Sequence, residues 1–95
     1  MIVSAQISVY PLRQDRLAPA IEAVRAALAG HGISPEVGAM STIAVGEDAA
    51  VFAALRDAFA TAAALGDVVM TVTVSNACPI AERGTFAPRR GDAAP

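Results

Sequence analysis

The stretch VVMTVTVSNACP, residues 68–79, places small hydroxyl side chains on one face of a predicted strand. With the two-residue period of a strand, Thr71, Thr73 and Ser75 point one way, and most of the apolar side chains point the other way. A strand face in contact with water usually carries charged side chains, and this row carries none. Neutral hydroxyls donate and accept hydrogen bonds, so the row could face a small polar ligand or a second subunit.

The N-terminal stretch IVSAQISVY repeats this pattern. Gln6, Ser8 and Tyr10 share one face, again without charge, and a proline ends the predicted strand. Tyr10 could stack on a ring or contact a cation, or it could simply end the strand. Asn76 follows the last strand, where ligand-binding groups commonly lie, but it could equally satisfy the turn.

Other residues that could do chemistry are isolated. Ser41 and Thr42 lie in a further predicted strand, and register decides which of them shares the uncharged face. Met40 could form one wall of a site or belong to the core. Cys78 has no neighbouring base, and His31 lies in a Gly-rich turn where we expect it to be solvated. Without paired carboxylates, a metal-ligand cluster or a phosphate loop, we expect neither an enzyme, nor a metal site, nor a cofactor.

Composition limits the possible classes of protein. The chain has 95 residues, which suits one domain, and a formal net charge of −2 with seven basic residues, all arginine. Because no basic patch is present, we do not expect a nucleic-acid partner. No stretch is long and apolar enough for a membrane span, and the N-terminus lacks the features of a signal peptide. The single cysteine suits a reducing cytoplasm, so a cytoplasmic location is expected.

Two helices and four strands must position these residues. Helical spacing and Pro19 predict a first helix within residues 13–32. A second helix is predicted over residues 48–65, where negative charge at Glu47 and Asp48 favours its N-terminus. Its predicted buried stripe consists of Phe52, Leu55, Phe59 and Ala62. The predicted strands cover residues 2–10, 34–38, 40–45 and 67–76.

The order β-α-β-β-α-β is typical of the ferredoxin-like α+β sandwich, a four-stranded antiparallel sheet with two helices on one face. We expect the first and fourth strands to form the central pair of this sheet. Residues 1–79 would form the domain. Residues 80–95 are rich in Pro, Gly and Arg without periodicity, so we expect a disordered C-terminal tail, or at most a strap onto a neighbour.

Four stretches of the chain resemble the YkoF-type thiamine-binding family: VSAQISVYPL, VGAMSTIAVGED, VFAALRDAFATA and VVMTVTVSNACP. The similarity covers residues 3–79. Its most specific pieces are AQISVYP, MST with the turn Gly46-Glu47-Asp48, and SNACP. The family usually has Gly-Asp after Glu in that turn, so this chain departs slightly from the pattern there.

The resemblance implies a cytoplasmic ferredoxin-like domain that binds thiamine or its hydroxymethylpyrimidine half without catalysis. It would act as a carrier or a sensor connected with vitamin uptake, with thiamine as a ligand rather than a cofactor. Such proteins assemble through their sheets, which predicts a homodimer or homotetramer through the sheet face. The alternative is a regulatory or interaction module whose sheet face builds the oligomer without a small ligand. The sequence leaves open which half of thiamine is bound and whether the site lies between subunits.

The residues expected near the ligand lie on the uncharged sheet face or at strand ends. Hydroxyls and amides suit an aminopyrimidine, because that ring both donates and accepts hydrogen bonds. The expected residues are Gln6, Ser8, Tyr10, Met40, Ser41, Thr42, Thr71, Thr73, Ser75 and Asn76.

Overall fold

Two helices cover one face of a four-stranded antiparallel sheet, so the predicted ferredoxin-like fold is confirmed. The computed structural model describes residues 1–39, 41–77, 80–82 and 85–86, and only the backbone of the last two ranges. The strands of the sheet are β1 (Ile2–Pro11), β2 (Glu36–Val37), β3 (Thr42–Glu47) and β4 (Val68–Ser75). The helices are α1 (Ala18–Gly30) and α2 (Asp48–Ala63).

The strands are arranged β2-β3-β1-β4, so β1 and β3 are central and β4 lies at an edge. The prediction that the first and fourth strands form the central pair is therefore wrong, although β1 and β4 do pair with each other. The reason lies in the crossovers. Helix α1 carries the chain from β1 past β3 to β2, and α2 carries it from β3 past β1 to β4. The two strands that are passed over, β3 and β1, therefore occupy the centre of the sheet.

Alternation along β1 divides the sheet into two faces. The helices cover one face, where Val3, Ala5, Ile7 and Val9 are all buried. We call the opposite face the open face, and the strand registers assign its central residues. They are Ser4, Gln6, Ser8 and Tyr10 from β1, Ile43 and Val45 from β3, and Val69, Thr71, Thr73 and Ser75 from β4.

The core between sheet and helices is built largely from small side chains. Val24 and Leu28 of α1 are four residues apart, on one face of the helix, and both are buried. Around them lie Ala20, Ala23, Ala44, Ala54, Ala58 and Ala62. Because alanine projects little from a helix, α1 and α2 can approach each other and the sheet closely.

The buried stripe of α2 differs from the predicted one. The buried residues are Val51, Ala54, Ala58 and Ala62, each 0% exposed. Phe52 and Phe59 are 54% and 46% exposed, and Leu55 is only partly buried at the edge of the core. The prediction was thus right for Ala62 and wrong for both phenylalanines. Both stripes have helical spacing, and the fold buries the stripe that is built mainly of alanine.

The ends of the helices follow local sequence signals. Pro19 lies in the first turn of α1, and Gly32 follows that helix with φ 77°, a conformation that favours glycine. Asp48 lies in the first turn of α2. Beyond β4, β5 (Ile80–Glu82) pairs with β6 (Thr85–Phe86) in a separate two-stranded sheet, within the segment predicted as a tail without regular structure. The other residues from 78 onward lie outside the described residues, and the domain boundary stays a prediction.

Candidate functional site

Strand β1 continues past the point where β3 begins. The pairing of β1 with β3 ends at Ile7, opposite Thr42, so residues 8–11 of β1 pair with β4 alone among the described strands. The loop between β2 and β3 lies on one side of this extension and the start of α1 on another. Between them is a cleft of about 150 Å³. The cleft therefore exists because β3 begins four residues short of the end of β1.

The cleft combines apolar walls with neutral hydroxyl groups. Four of its lining residues carry a hydroxyl: Ser8, Tyr10, Ser41 and Thr42. The others are Ile7, Val9, Leu17, Ile21, Val37, Gly38 and Ala39. None of these lining residues, which all belong to the described part of the chain, is charged. A concave apolar surface with a few polar groups is the usual form of a small-molecule site.

Gln6 links the cleft to the open face. Its Nε2 donates a hydrogen bond to Ser41 Oγ at 3.2 Å. Gln6 and Ser8 lie opposite Thr73 and Thr71 of β4, and both threonines are exposed. Neutral polar side chains therefore continue without a charge from the cleft onto the open face.

The position of Ser41 depends on a tight turn at Gly38. The backbone N–H of Gly38 donates to the carbonyl oxygen of Ser41 at 2.8 Å. A Cβ atom on residue 38 would lie only 3.2 Å from that oxygen, so glycine allows the close approach. Met40, which belongs to the same loop, lies outside the described residues.

Ser41 and Thr42 are neighbours with different surroundings. Thr42 lies opposite Ile7, faces the helices and is 5% exposed. Ser41 is half-buried and contacts Gln6 from the open face. Register therefore selects Ser41 for the open face, while both residues line the cleft.

Two residues expected at the site lie far from the cleft. Ser75 is opposite Ser4, about 13 Å along β1 from Ser8, and Asn76 lies beyond it. Ser75 Oγ also accepts a hydrogen bond from the backbone N–H of Ala77 at 2.9 Å. The structure thus brings together Ser8, Tyr10, Ser41, Thr42 and Gln6 at or beside the cleft. Ser75 and Asn76 belong to the opposite end of the sheet.

His31 is partly buried rather than fully solvated, with 30% of its side chain exposed. Its Nε2 lies 2.6 Å from Asp57 Oδ2, and this hydrogen bond joins the end of α1 to α2. The partner lies 26 positions away in the chain, which is why the surrounding Gly-rich turn gives no sign of the contact. The pair lies apart from the lining of the cleft.

The apolar walls of the cleft were not predicted. Leu17 stands just before α1 and Val37 ends β2, and both are about half exposed. Their exposure at the mouth of a cleft is visible only once the elements are packed. Within the described residues, no group of three or more His, Cys, Asp or Glu side chains could hold a metal ion. Neither described helix has the length and apolar character needed to cross a bilayer.

A comparison with models of protein families shows the family of this chain. The model of the YKOF-related family matches residues 2–81. The chain belongs to this family. The matched residues include all four strands of the sheet and both helices. The cleft and the open face therefore lie within the part of the chain that the family model covers. The resemblance found in the sequence is confirmed.

Solved structures share the fold of this family member. A Thermotoga maritima protein assigned provisionally to thiamine biosynthesis or salvage is 21% identical, with a TM-score of 0.68, over 78% of this chain and 82% of that one. A Streptococcus pneumoniae protein is 28% identical, with a TM-score of 0.70, over 79% and 86%. A hypothetical Methanocaldococcus jannascii protein is 18% identical, with a TM-score of 0.73, over 90% and 87%. Among curated proteins, none matches the sequence.

Proposed function

We propose that this family member binds thiamine, or its hydroxymethylpyrimidine half, in the cleft beside the end of β1, without catalysing a reaction on it. The observation that carries the proposal is the cleft itself, an uncharged, apolar-walled space with hydroxyls at Ser8, Tyr10 and Ser41. Membership of the YKOF-related family and the thiamine-related assignment of the Thermotoga maritima protein support this class of ligand. The protein would hold, sense or hand over the vitamin in the cytoplasm.

In this proposal the pyrimidine half is the part of the ligand inside the cleft, because that ring both donates and accepts hydrogen bonds and the cleft offers hydroxyls. The cleft has a volume of about 150 Å³ and opens to the surface, so the second ring of thiamine can lie outside it. In this proposal the ring lies between the apolar side chains of Leu17 and Val37. Its amino group and ring nitrogens meet the hydroxyls, which can donate or accept.

The thiazolium ring of thiamine would remain outside the cleft, over the open face. Tyr10 is half exposed at the cleft, and its ring can contact the cation with a gain of about 0.5–2 kcal/mol. Gln6, Thr71 and Thr73 supply neutral polar groups along the adjoining surface. Met40, next to Ser41 in the sequence, is proposed to form part of the wall of the cleft. Ser75 and Asn76 are too distant to take part.

Calorimetric titration of the purified chain, first with hydroxymethylpyrimidine and then with thiamine, tests the proposal. We expect saturable binding near one ligand per chain. Ser41→Ala and Tyr10→Ala should each weaken binding by about tenfold, because each removes a group worth about 1–1.5 kcal/mol at the cleft. Ser34→Ala is the matched control, since Ser34 is exposed in the segment before β2 and should leave the affinity unchanged.

Absence of heat with both ligands, together with no thermal shift at millimolar ligand, would contradict the binding proposal. A product that accumulates from either ligand during long incubation would contradict its non-catalytic part.

A second candidate function rests on the apolar part of the open face. Ile43 and Val69 are exposed there, on a surface whose central residues carry no charge. The open face would then pack on a second subunit and build a homodimer or homotetramer, with no small ligand. Ile43→Arg places a charge in the middle of this interface and should reduce the mass in sedimentation velocity. An unchanged mass would exclude this interface.

A further inference from the structure

Ser41 is a hydroxyl residue of the cleft whose position is fixed by two separate contacts. Its carbonyl oxygen accepts a hydrogen bond from the backbone N–H of Gly38 at 2.8 Å, which holds this part of the chain in a tight turn. Its Oγ accepts a hydrogen bond from Gln6 Nε2 at 3.2 Å. One contact fixes the backbone and the other fixes the hydroxyl. A polar group that is ordered in advance loses little freedom when a ligand binds to it.

The strand register explains why a glutamine reaches this hydroxyl. Gln6 lies opposite Ile43 and Ile7 lies opposite Thr42, where the pairing of β1 with β3 ends. Ser41 is therefore the diagonal neighbour of Gln6 on the open face, at a separation of about 7–8 Å that a long side chain can cross. The contact thus follows from the same early end of the pairing that opens the cleft.

The hydrogen bond from Gln6 determines which group Ser41 can offer to a ligand. A hydroxyl has one O–H donor and two lone pairs. The amide nitrogen of Gln6 only donates, so Ser41 Oγ uses a lone pair on it and keeps its O–H for another partner. Within the described residues, no other group forms a hydrogen bond with Ser41 Oγ. Because Ser41 lines the cleft, a ligand there can supply the acceptor for this O–H.

We propose that Gln6 is a positioning residue that makes Ser41 a hydrogen-bond donor toward the cleft, so that the protein selects aminopyrimidines over their oxo counterparts. This inference rests on the proposed function. Along one edge, an aminopyrimidine has a ring nitrogen that accepts beside an amino group that donates. In the oxo counterpart a carbonyl replaces the amino group and the ring nitrogen carries a hydrogen. Donor and acceptor are thereby exchanged.

The O–H of Ser41 suits the ring nitrogen of the amino form and opposes the N–H of the oxo form. The second lone pair of Oγ could accept from that N–H, but the O–H of Ser41 would then lie against the ligand without an acceptor. The apolar side chains of Leu17 and Val37 at the cleft offer none. A site that leaves one of its own polar groups unpaired binds the wrong ligand more weakly, here by about tenfold.

Calorimetric titration of the full chain with hydroxymethylpyrimidine and with its oxo counterpart tests the inference, at a slightly alkaline pH where both pyrimidines are neutral. Wild type should bind the amino form about tenfold more tightly. Gln6→Glu replaces the amide with a carboxylate that only accepts, so Ser41 should donate to that carboxylate and turn its lone pairs toward the cleft. The preference for the amino form should then fall by about tenfold.

Two controls separate the polarity of Ser41 from added charge and from packing. Ser4→Glu places the same charge on the same face, two residues along β1 from Gln6, and should keep the wild-type preference. In a Ser41→Ala background, Gln6→Glu should no longer change the preference, because Gln6 acts through the Ser41 hydroxyl. A role of Gln6 in packing alone would weaken both ligands equally and leave the preference as it is.

The outcomes distinguish this inference from the proposed function. Equal binding of the two pyrimidines by wild type, or an unchanged preference in Gln6→Glu, would overturn the inference and leave the proposed function in place. A change of preference that persists in the Ser41→Ala background would also overturn it. No binding of either pyrimidine would contradict the proposed function itself, and the inference with it.

Discussion

At the scale of single residues, His31 shows how a side chain suited to chemistry can serve packing instead. Its ring nitrogen meets the carboxylate of Asp57 at 2.6 Å and joins the end of α1 to α2. Such a hydrogen bond contributes about 1 kcal/mol net, with a larger cost when one partner is left alone. The start of α1 forms one wall of the cleft, so this contact supports the site only indirectly.

Asp57→Ala should lower the free energy of unfolding by about 1–2 kcal/mol, because the half-buried imidazole loses its partner. Urea denaturation measures the change. Arg56→Ala is the control: it removes the other ion pair of Asp57, at 3.7 Å, but the Arg56 side chain is 84% exposed, so the change should stay within about 0.5 kcal/mol. Similar losses in both variants would show that the His31 contact adds nothing to stability.

The sequence could predict part of the candidate site. A period of two is enough to put Ser8 and Tyr10 on one face of β1, whatever the rest of the fold does. The choice between Ser41 and Thr42 needs the register with β1, which no local pattern contains. Leu17 and Val37 come from different elements and meet only through packing. Whether these residues hold a ligand stays a prediction.

At the scale of elements, α2 shows why an alanine-rich helix is difficult to orient from its sequence. Alanine is apolar enough to be buried, yet small enough to be exposed at little cost. Several faces of an alanine-rich helix therefore show apolar residues at helical spacing, and the sequence does not show which of these faces is buried. The bulky stripe was predicted as the core, but the fold buries the smallest residues and leaves two phenylalanines at the surface. The number and order of the six main elements were predicted correctly. The pairing of β1 with β4 was also predicted correctly, but the central position of β4 was not, because the hydrophobic period of a strand does not fix its place in the sheet.

Ala58→Leu should destabilise the chain by about 1–3 kcal/mol, because Ala58 is fully buried and a longer side chain must displace its neighbours. Ala60→Leu, two positions along the same helix, makes the same change at an exposed site and should alter stability little. Denaturant unfolding of both variants compares the two faces. If Ala60→Leu costs as much as Ala58→Leu, the orientation of α2 is wrong.

At the scale of the whole molecule, the small size of the domain favours the self-association proposed for the open face. A closed assembly with an even number of subunits is the usual outcome when the same face of two copies meets. An assembly would also help a chain of 95 residues whose core is rich in alanine, because a small domain buries a limited share of its surface.

Ile43→Arg should reduce such an assembly to monomers in sedimentation velocity. The monomeric variant should still bind hydroxymethylpyrimidine in calorimetry, because Ile43 does not line the cleft. Loss of binding in a folded monomer would mean that a second subunit completes the site.

The pairing of β1 with β3 ends before β1 does, and the unpaired length of β1 beside β3 sets the length of the cleft. The size of the cleft therefore depends on the lengths of the strands more than on the side chains that line it. A paired strand can be lengthened only by an even number of residues, because an insertion of one residue would turn the core side chains to the other face of the sheet. Adding two residues to each strand of the β2–β3 hairpin would lengthen the paired region by about 7 Å and fill the cleft with backbone. Homologues that differ in this hairpin would therefore fall into discrete classes of ligand size while they keep the same core.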